Sequence, residues 1–156
     1  MVQRVSFKSS HRVWSLGLIL LSLVITSGCA ETFSTTFVHT KLSPDEYRRA
    51  VESFNDAIRW RDFNGGAAFV APQQLDAYWQ LADALNEYIR VADYQTQRID
   101  FNQQARSGMV VLRYRYYHPQ DPKMRTKDCH QKWAYDEGAK TWWVVQTGLQ
   151  TLLEAD

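Results

Sequence analysis

The sequence predicts an α+β domain in which two helices lead and an antiparallel meander of about four strands follows. Three observations predict it. Ser43-Pro44-Asp45-Glu46 opens a stretch of apolar residues at helical spacing. After about Ile89 the apolar period falls from about 3.6 residues to 2. Two turn signals, His118-Pro119-Gln120-Asp121-Pro122 and Asp136-Glu137-Gly138-Ala139, then divide the remainder. A chain of 156 residues is one domain's worth, and with 45% hydrophobic and 13% aromatic residues it has the apolar surface to offset the entropy of ordering.

Each element has a local reason. Ser43 is an N-cap, Pro44 suits the first helical position, and Asp45 and Glu46 complement the helix dipole, with Glu46 placed to complete a capping box. Tyr47, Ala50, Val51, Phe54, Ala57 and Ile58 then follow i, i+3/i+4 spacing, so one amphipathic helix should run to about Arg61. Asp62-Phe63-Asn64-Gly65-Gly66 breaks it, and residues 67–70 are long enough only for a turn of helix before Pro72. From about Gln73, a second helix places Leu75, Tyr78, Trp79, Ala82, Leu85 and Tyr88 on one side. Residues 89–103 read as a long, bent strand and residues 108–118 as a second, where Val110, Leu112, Tyr114 and Tyr116 alternate with a cationic face. Residues 124–136 and 140–147 complete the meander, in a register expected to set Trp133 opposite Trp142 and Gln131 opposite Val144.

The first residues read as an address. Arg4, Lys8 and Arg12 precede an uncharged run from Trp14 to Gly28, a secretory n-region and h-region too short for the roughly 20 residues of a membrane span. Ile25-Thr26-Ser27-Gly28-Cys29 resembles the bacterial lipobox, with Thr26 where leucine is commonest. The resemblance implies cleavage before Cys29, lipidation of that cysteine, and permanent attachment by several acyl chains. Ala30, in place of the aspartate that retains many such proteins in the inner membrane, implies the periplasmic face of the outer membrane. The alternatives are an uncleaved anchor and an ordinary secretory signal. The expected organisation is thus a signal peptide over 1–28, a lipid-anchored tether over 29–42, one domain over 43–150 and a tail over 151–156. Cleavage would remove three of the 18 basic residues and none of the 17 acids, leaving a mildly acidic chain with no basic block, and nucleic acid is not an expected partner. Cys129 would then have no intramolecular partner, and a small buried side chain in a strand is the expected reading.

Phe54…Ala57-Ile58-Arg59-Trp60…Asp62…Ala67-Ala68-Phe69-Val70, then Val91-Ala92-Asp93-Tyr94, then Trp133-x-Tyr135…Trp142-x-Val144…Gly148-Leu149 resemble a group of uncharacterised bacterial lipoproteins of the nuclear-transport-factor-two-like superfamily, which also holds ketosteroid-isomerase-like and polyketide-cyclase-like proteins. The resemblance spans about residues 43–150. It implies N-terminal helices packed on the concave face of a curved antiparallel β-sheet, a cone-shaped α+β roll, and it leaves activity open because that fold carries enzymes and binding modules alike.

The residues offer little catalytic chemistry. Gly65-Gly66 follows a helix and does not join a strand to one, so it lacks the context of a phosphate loop. Asp128-Cys129-His130 looks metal-like, but neighbouring strand residues face opposite ways, so Cys129 and His130 cannot share an ion without a bulge. An isomerase-like mechanism needs a carboxylate base and an acidic hydrogen-bond donor in a dry pocket, and the candidates are Asp93 or Asp100 with Tyr114 or Tyr116. Asp93 and Asp100 are an odd number of residues apart, so without a bulge only one faces inward, and the sequence does not choose between them. Arg113, Arg115, Arg125, Lys127 and Lys132 form a cationic set on the meander, most simply a solvated convex face. No cofactor is expected. The leading expectation is an outer-membrane-anchored binding or assembly-accessory module without catalysis, its pocket edged by Tyr114, Tyr116, Asp93 and Asp100 and its partner an envelope protein or an apolar small molecule. The alternative is a pocket enzyme or a carrier of small hydrophobic ligands. A scaffold would fill the cone with Phe54, Ile58, Leu85, Leu112 and indoles, whereas an enzyme would keep an inward carboxylate and an open mouth.

Overall fold

A computed structural model describes residues 42–154. The expected signal peptide, Cys29 and all of the expected tether but its last residue lie outside that range. Leu42 itself is buried, so the packed domain begins one residue earlier than expected. Helix α1 spans Pro44–Trp60, with Ser43 in extended conformation accepting a hydrogen bond from the Asp45 amide. It ends where Arg61 enters the left-handed region at φ 63°. Tyr47, Val51, Phe54, Asn55 and Ile58 form its buried stripe. The turn of helix expected over 67–70 lies earlier: α2 is Phe63–Ala67, because the Asp62 carboxylate caps the Gly65 amide at 2.8 Å and restarts the helix at once.

Val70 then forms a parallel bridge to Val144, in which Val144 N donates to Phe69 O at 2.8 Å and Ala71 N to Val144 O at 3.2 Å. After a 3₁₀ turn over Pro72–Gln74, helix α3 runs over Leu75–Tyr88 and buries Tyr78, Ala82 and Leu85. Trp79 and Tyr88, expected on the buried side, are exposed.

Strands β1 (Arg90–Asn102), β2 (Ser107–His118), β3 (Asp121–Asp136) and β4 (Thr141–Gln146) form one antiparallel sheet in the order β1-β2-β3-β4. The helices pack on its concave face, and the fold is the α+β arrangement expected. Two details differ. The first turn signal narrows to Pro119-Gln120, since His118 already pairs with Asp121. In the last hairpin Asp136 pairs with Thr141 across a four-residue loop, not a two-residue one, because its carboxylate accepts from Ala139 N at 2.9 Å and Lys140 takes a positive φ of 51°. The register therefore shifts by two: Trp133 faces Val144, Trp142 faces Tyr135, and Gln131 lies opposite Val110 of β2.

The chain from Leu149 to Leu153 is a second 3₁₀ turn laid over the inner side of β3, with Leu149 and Leu152 fully buried. Leu152, in the expected tail, is thus part of the core, with Thr151 and Leu153 half-buried beside it and Thr151 Oγ1 3.2 Å from Cys129 Sγ.

Candidate functional site

The interior of the cone was the expected site, and the sequence packs it in two parts. At the end nearest the start of α1, Tyr47 lies over Gly108 of β2, where a Cβ would stand 2.2 Å from the phenol oxygen. Trp142 meets the Tyr47 ring at 4.7 Å between centroids, Phe101 at 5.9 Å and Trp133 edge-on at 6.1 Å. Burial pushes the Tyr47 hydroxyl well above the usual phenol range. Tyr47 Oη and Trp142 Nε1 have no hydrogen-bond partner among the described residues.

Deeper in, α1 contributes Asn55 and the sheet contributes Tyr114, Gln131 and Trp133, all fully buried. Gln131 Nε2 donates to Asn55 Oδ1 at 2.7 Å, and Tyr114 Oη donates to the same oxygen. Asn55 Nδ2 donates to Val51 O at 2.7 Å and to Gln131 Oε1 at 3.3 Å, and Trp133 Nε1 donates to Gln131 Oε1 at 3.2 Å. Every side-chain oxygen in this cluster is engaged, and each amide nitrogen donates. Buried polar groups at low dielectric need that pairing. The cluster holds amides, a phenol and an indole, none of which takes up a proton near neutral pH, and burial raises the Tyr114 phenol further. Phe54, Ile58, Leu85 and Leu112 fill the rest.

The sequence-predicted residues are not brought together. Tyr114 and Tyr116, expected at the edge of a pocket, are core residues; Tyr114 bonds Asn55, and Tyr116 packs on His118 at 6.0 Å between ring centroids. Asp93 faces Arg115 and Asp100 faces Met109 across β1 and β2, both on the outer side of the sheet. A register shift between Thr96 and Arg98 supplies the extra residue that turns both carboxylates the same way, outward. Asp93 pairs with Arg59 at 3.5 Å and Asp100 with Arg98 at 2.7 Å. Asp128 and His130 share the outer face, where Arg113 grips Asp128 through two bonds of 2.7 and 2.9 Å and holds its carboxyl below the usual range. The cationic set divides: Arg113, Arg115 and Lys132 lie on the outer side, while Arg125 and Lys127, opposite Tyr116 and Tyr114, lie on the inner parity. Arg125 bonds Asp121, and Lys127 the Glu154 carbonyl.

Asn55 and Gln131 were missed, although both carry a signal. Asn55 sits four residues after Val51 and three before Ile58, on the apolar stripe of α1, and Gln131 shares strand parity with Cys129 and Trp133. A polar residue on an apolar stripe implies a partner on the facing element.

Cys129 is buried and unpaired in a disulfide, with Sγ 3.2 Å from Thr151 Oγ1, and burial pushes its thiol up to about 11. The native domain should resist a bulky thiol reagent at neutral pH, and Cys129→Ala should cost about 1–2 kcal/mol in urea denaturation. Rapid stoichiometric labelling of folded protein would contradict this.

Shallow grooves open on the surface around the helices. One, of about 270 Å³, runs between α3 and β4, with Val70, Tyr78, Leu81, Gln74, Gln146 and Gln150 among its walls. Another, of about 300 Å³, lies between Tyr88 and the β2–β3 turn, where His118 Nδ1 stands 3.0 Å from Tyr88 O. Among the described residues, no group of three or more His, Cys, Asp or Glu side chains is placed to hold a metal.

No protein-family model matches the chain, and no curated protein does. Solved structures do. A SEC-C motif containing protein from Rhodopseudomonas palustris superposes with a TM-score of 0.52 at 13% identity, over 62% of this chain and 73% of its own. A ketosteroid isomerase-like protein from Erwinia carotovora atroseptica superposes with a TM-score of 0.52 at 9% identity, over 65% of this chain and 89% of its own. The fold is nuclear-transport-factor-two-like. An LEH-like epoxide hydrolase of M. tuberculosis is also similar, with a TM-score of 0.49 and 16% identity over 70% of this chain and 92% of its own. At such identities the likeness concerns the nuclear-transport-factor-two-like fold alone, and the site has to be judged by its own residues.

Proposed function

We propose that this chain is a lipoprotein held at the periplasmic face of the bacterial outer membrane, whose nuclear-transport-factor-two-like domain is a binding or assembly-accessory module without a catalytic step. The carrying observation is the Asn55–Gln131–Tyr114–Trp133 cluster, which occupies the cone where a base and an open mouth would have to stand. Binding then belongs to the outside of the domain. The anchor is supported by the short uncharged run from Trp14 to Gly28 and the lipobox-like Ile25-Thr26-Ser27-Gly28-Cys29 that ends it.

Two measurements test this. Mass spectrometry of the membrane-extracted protein should find residues 1–28 removed and Cys29 acylated, and Cys29→Ser should release the protein from the membrane. A mature terminus elsewhere, or unchanged retention of the Cys29→Ser variant, contradicts the anchor. A panel of isomerase and hydrolase substrates should give no turnover above buffer. Turnover that vanishes in a folded Asp93→Asn or Asp100→Asn variant would overturn the non-catalytic reading.

A further inference from the structure

One face of α1 has no part in the core. Ser53, Asp56, Ala57 and Trp60 recur at i, i+3, i+4 and i+7, and this stripe forms one wall of a shallow groove of about 400 Å³ whose other wall is Asp62, Gly65 and Phe69. Trp60 is 72% exposed, the most exposed of the large apolar side chains in the domain. Its indole stands beside two carboxylates, and neither Asp56 nor Asp62 has an ion pair among the described residues. That is notable because arginines flank both. Arg59 is drawn to Asp93 at 3.5 Å with its guanidinium carbon 5.2 Å from the Trp60 ring centroid, and Arg61 is turned to Asn86 of α3.

The carboxylates are also held in place. Asp56 Oδ1 accepts from Tyr94 Oη at 2.9 Å, and Asp62 Oδ1 from the Gly65 amide at 2.8 Å. Gly65 lacks the Cβ that would stand 2.3 Å from Asp62 Oδ2, which leaves room for that oxygen at the groove. Arg59 already lies over the Trp60 ring, so the two fixed anions are what draw a further cationic group, while its apolar stem packs on the exposed edge of Trp60 and on Phe69.

We infer that this groove docks a basic segment of a protein partner by an arginine or lysine side chain seated between Trp60, Asp56 and Asp62. The inference rests on the binding-module reading and names the chemistry of the partner. Charge complementarity favours this occupant, because an acidic or purely apolar partner would leave both carboxylates beside it without a counter-charge.

The test is a titration of the full-length chain with an acetylated, amidated tetra-arginine peptide at physiological salt, following the Trp60 indole N–H resonance, with a Gly-Ser peptide of equal length as control. The expected result is a saturable shift with the arginine peptide only. It should vanish in Trp60→Ala and weaken at least tenfold in the double variant Asp56→Asn with Asp62→Asn. Carboxamides keep both acceptor oxygens, so that variant should retain its melting temperature. Asp76→Asn, an exposed acid on α3, should bind as the parent does. Equal binding by the double variant, equal weakening in Asp76→Asn, or no shift at Trp60 at millimolar peptide would each overturn the inference. None of these outcomes bears on turnover in the substrate panel, so the two readings fail separately.

Discussion

Asn55→Leu should destabilise the domain by about 3 kcal/mol, because it removes the acceptor shared by Gln131 Nε2 and Tyr114 Oη and leaves both buried without it. Leucine keeps the branched shape and heavy-atom count of asparagine but is bulkier, so the loss combines broken polar pairing with some overpacking. For a domain of this size the melting temperature should fall on the order of 10 °C. The informative companion is Asn55→Leu with Gln131→Leu. Removing both sides of a buried pair is far less costly than removing one, so the double variant should lose less than the sum of the singles, with coupling of about 1–2 kcal/mol in the cycle. Additive losses, or a single-variant loss under about 0.5 kcal/mol by urea denaturation, would mean that the cluster does not act as a unit.

Gly148→Ala should have a comparable effect for a different reason. Gly148 has φ 67°, and a Cβ there would stand 2.4 Å from the carbonyl oxygen and 2.8 Å from the nitrogen of His130. Those atoms belong to the backbone of β3, which is paired to β2 and cannot give way as a side chain can. The expected loss is about 2–4 kcal/mol, through detachment of the turn that buries Leu149 and Leu152. That turn also covers Cys129 through Thr151, so thiol labelling of Cys129 should accelerate in the same variant. Gly138→Ala is the control, since its nearest contact is a side-chain oxygen of Asp136 at 3.2 Å and the loop is exposed. Unchanged labelling and stability in Gly148→Ala would contradict this account of the turn.

The α+β order, the N-cap at Ser43 and the inward parity of Val110, Leu112, Cys129 and Trp133 follow from the sequence alone, because capping and alternation depend on residues within a few positions of one another. Three things were decided only in the folded chain. The bulge at Thr96/Arg98 sent both Asp93 and Asp100 outward, and a single inserted residue has no composition that marks it. The hairpin register depended on which residue of a short loop took a positive φ, and Lys140 is not a residue type that signals it. The cone was filled because Asn55 and Gln131, 76 positions apart, could satisfy one another while Tyr47 settled over Gly108 on the facing strand β2. Local pattern specifies which face of each element is apolar. Whether the space between those faces is a pocket or a packed interior depends on side-chain volumes and hydrogen bonds summed over helix and sheet, and only the tertiary arrangement contains that sum.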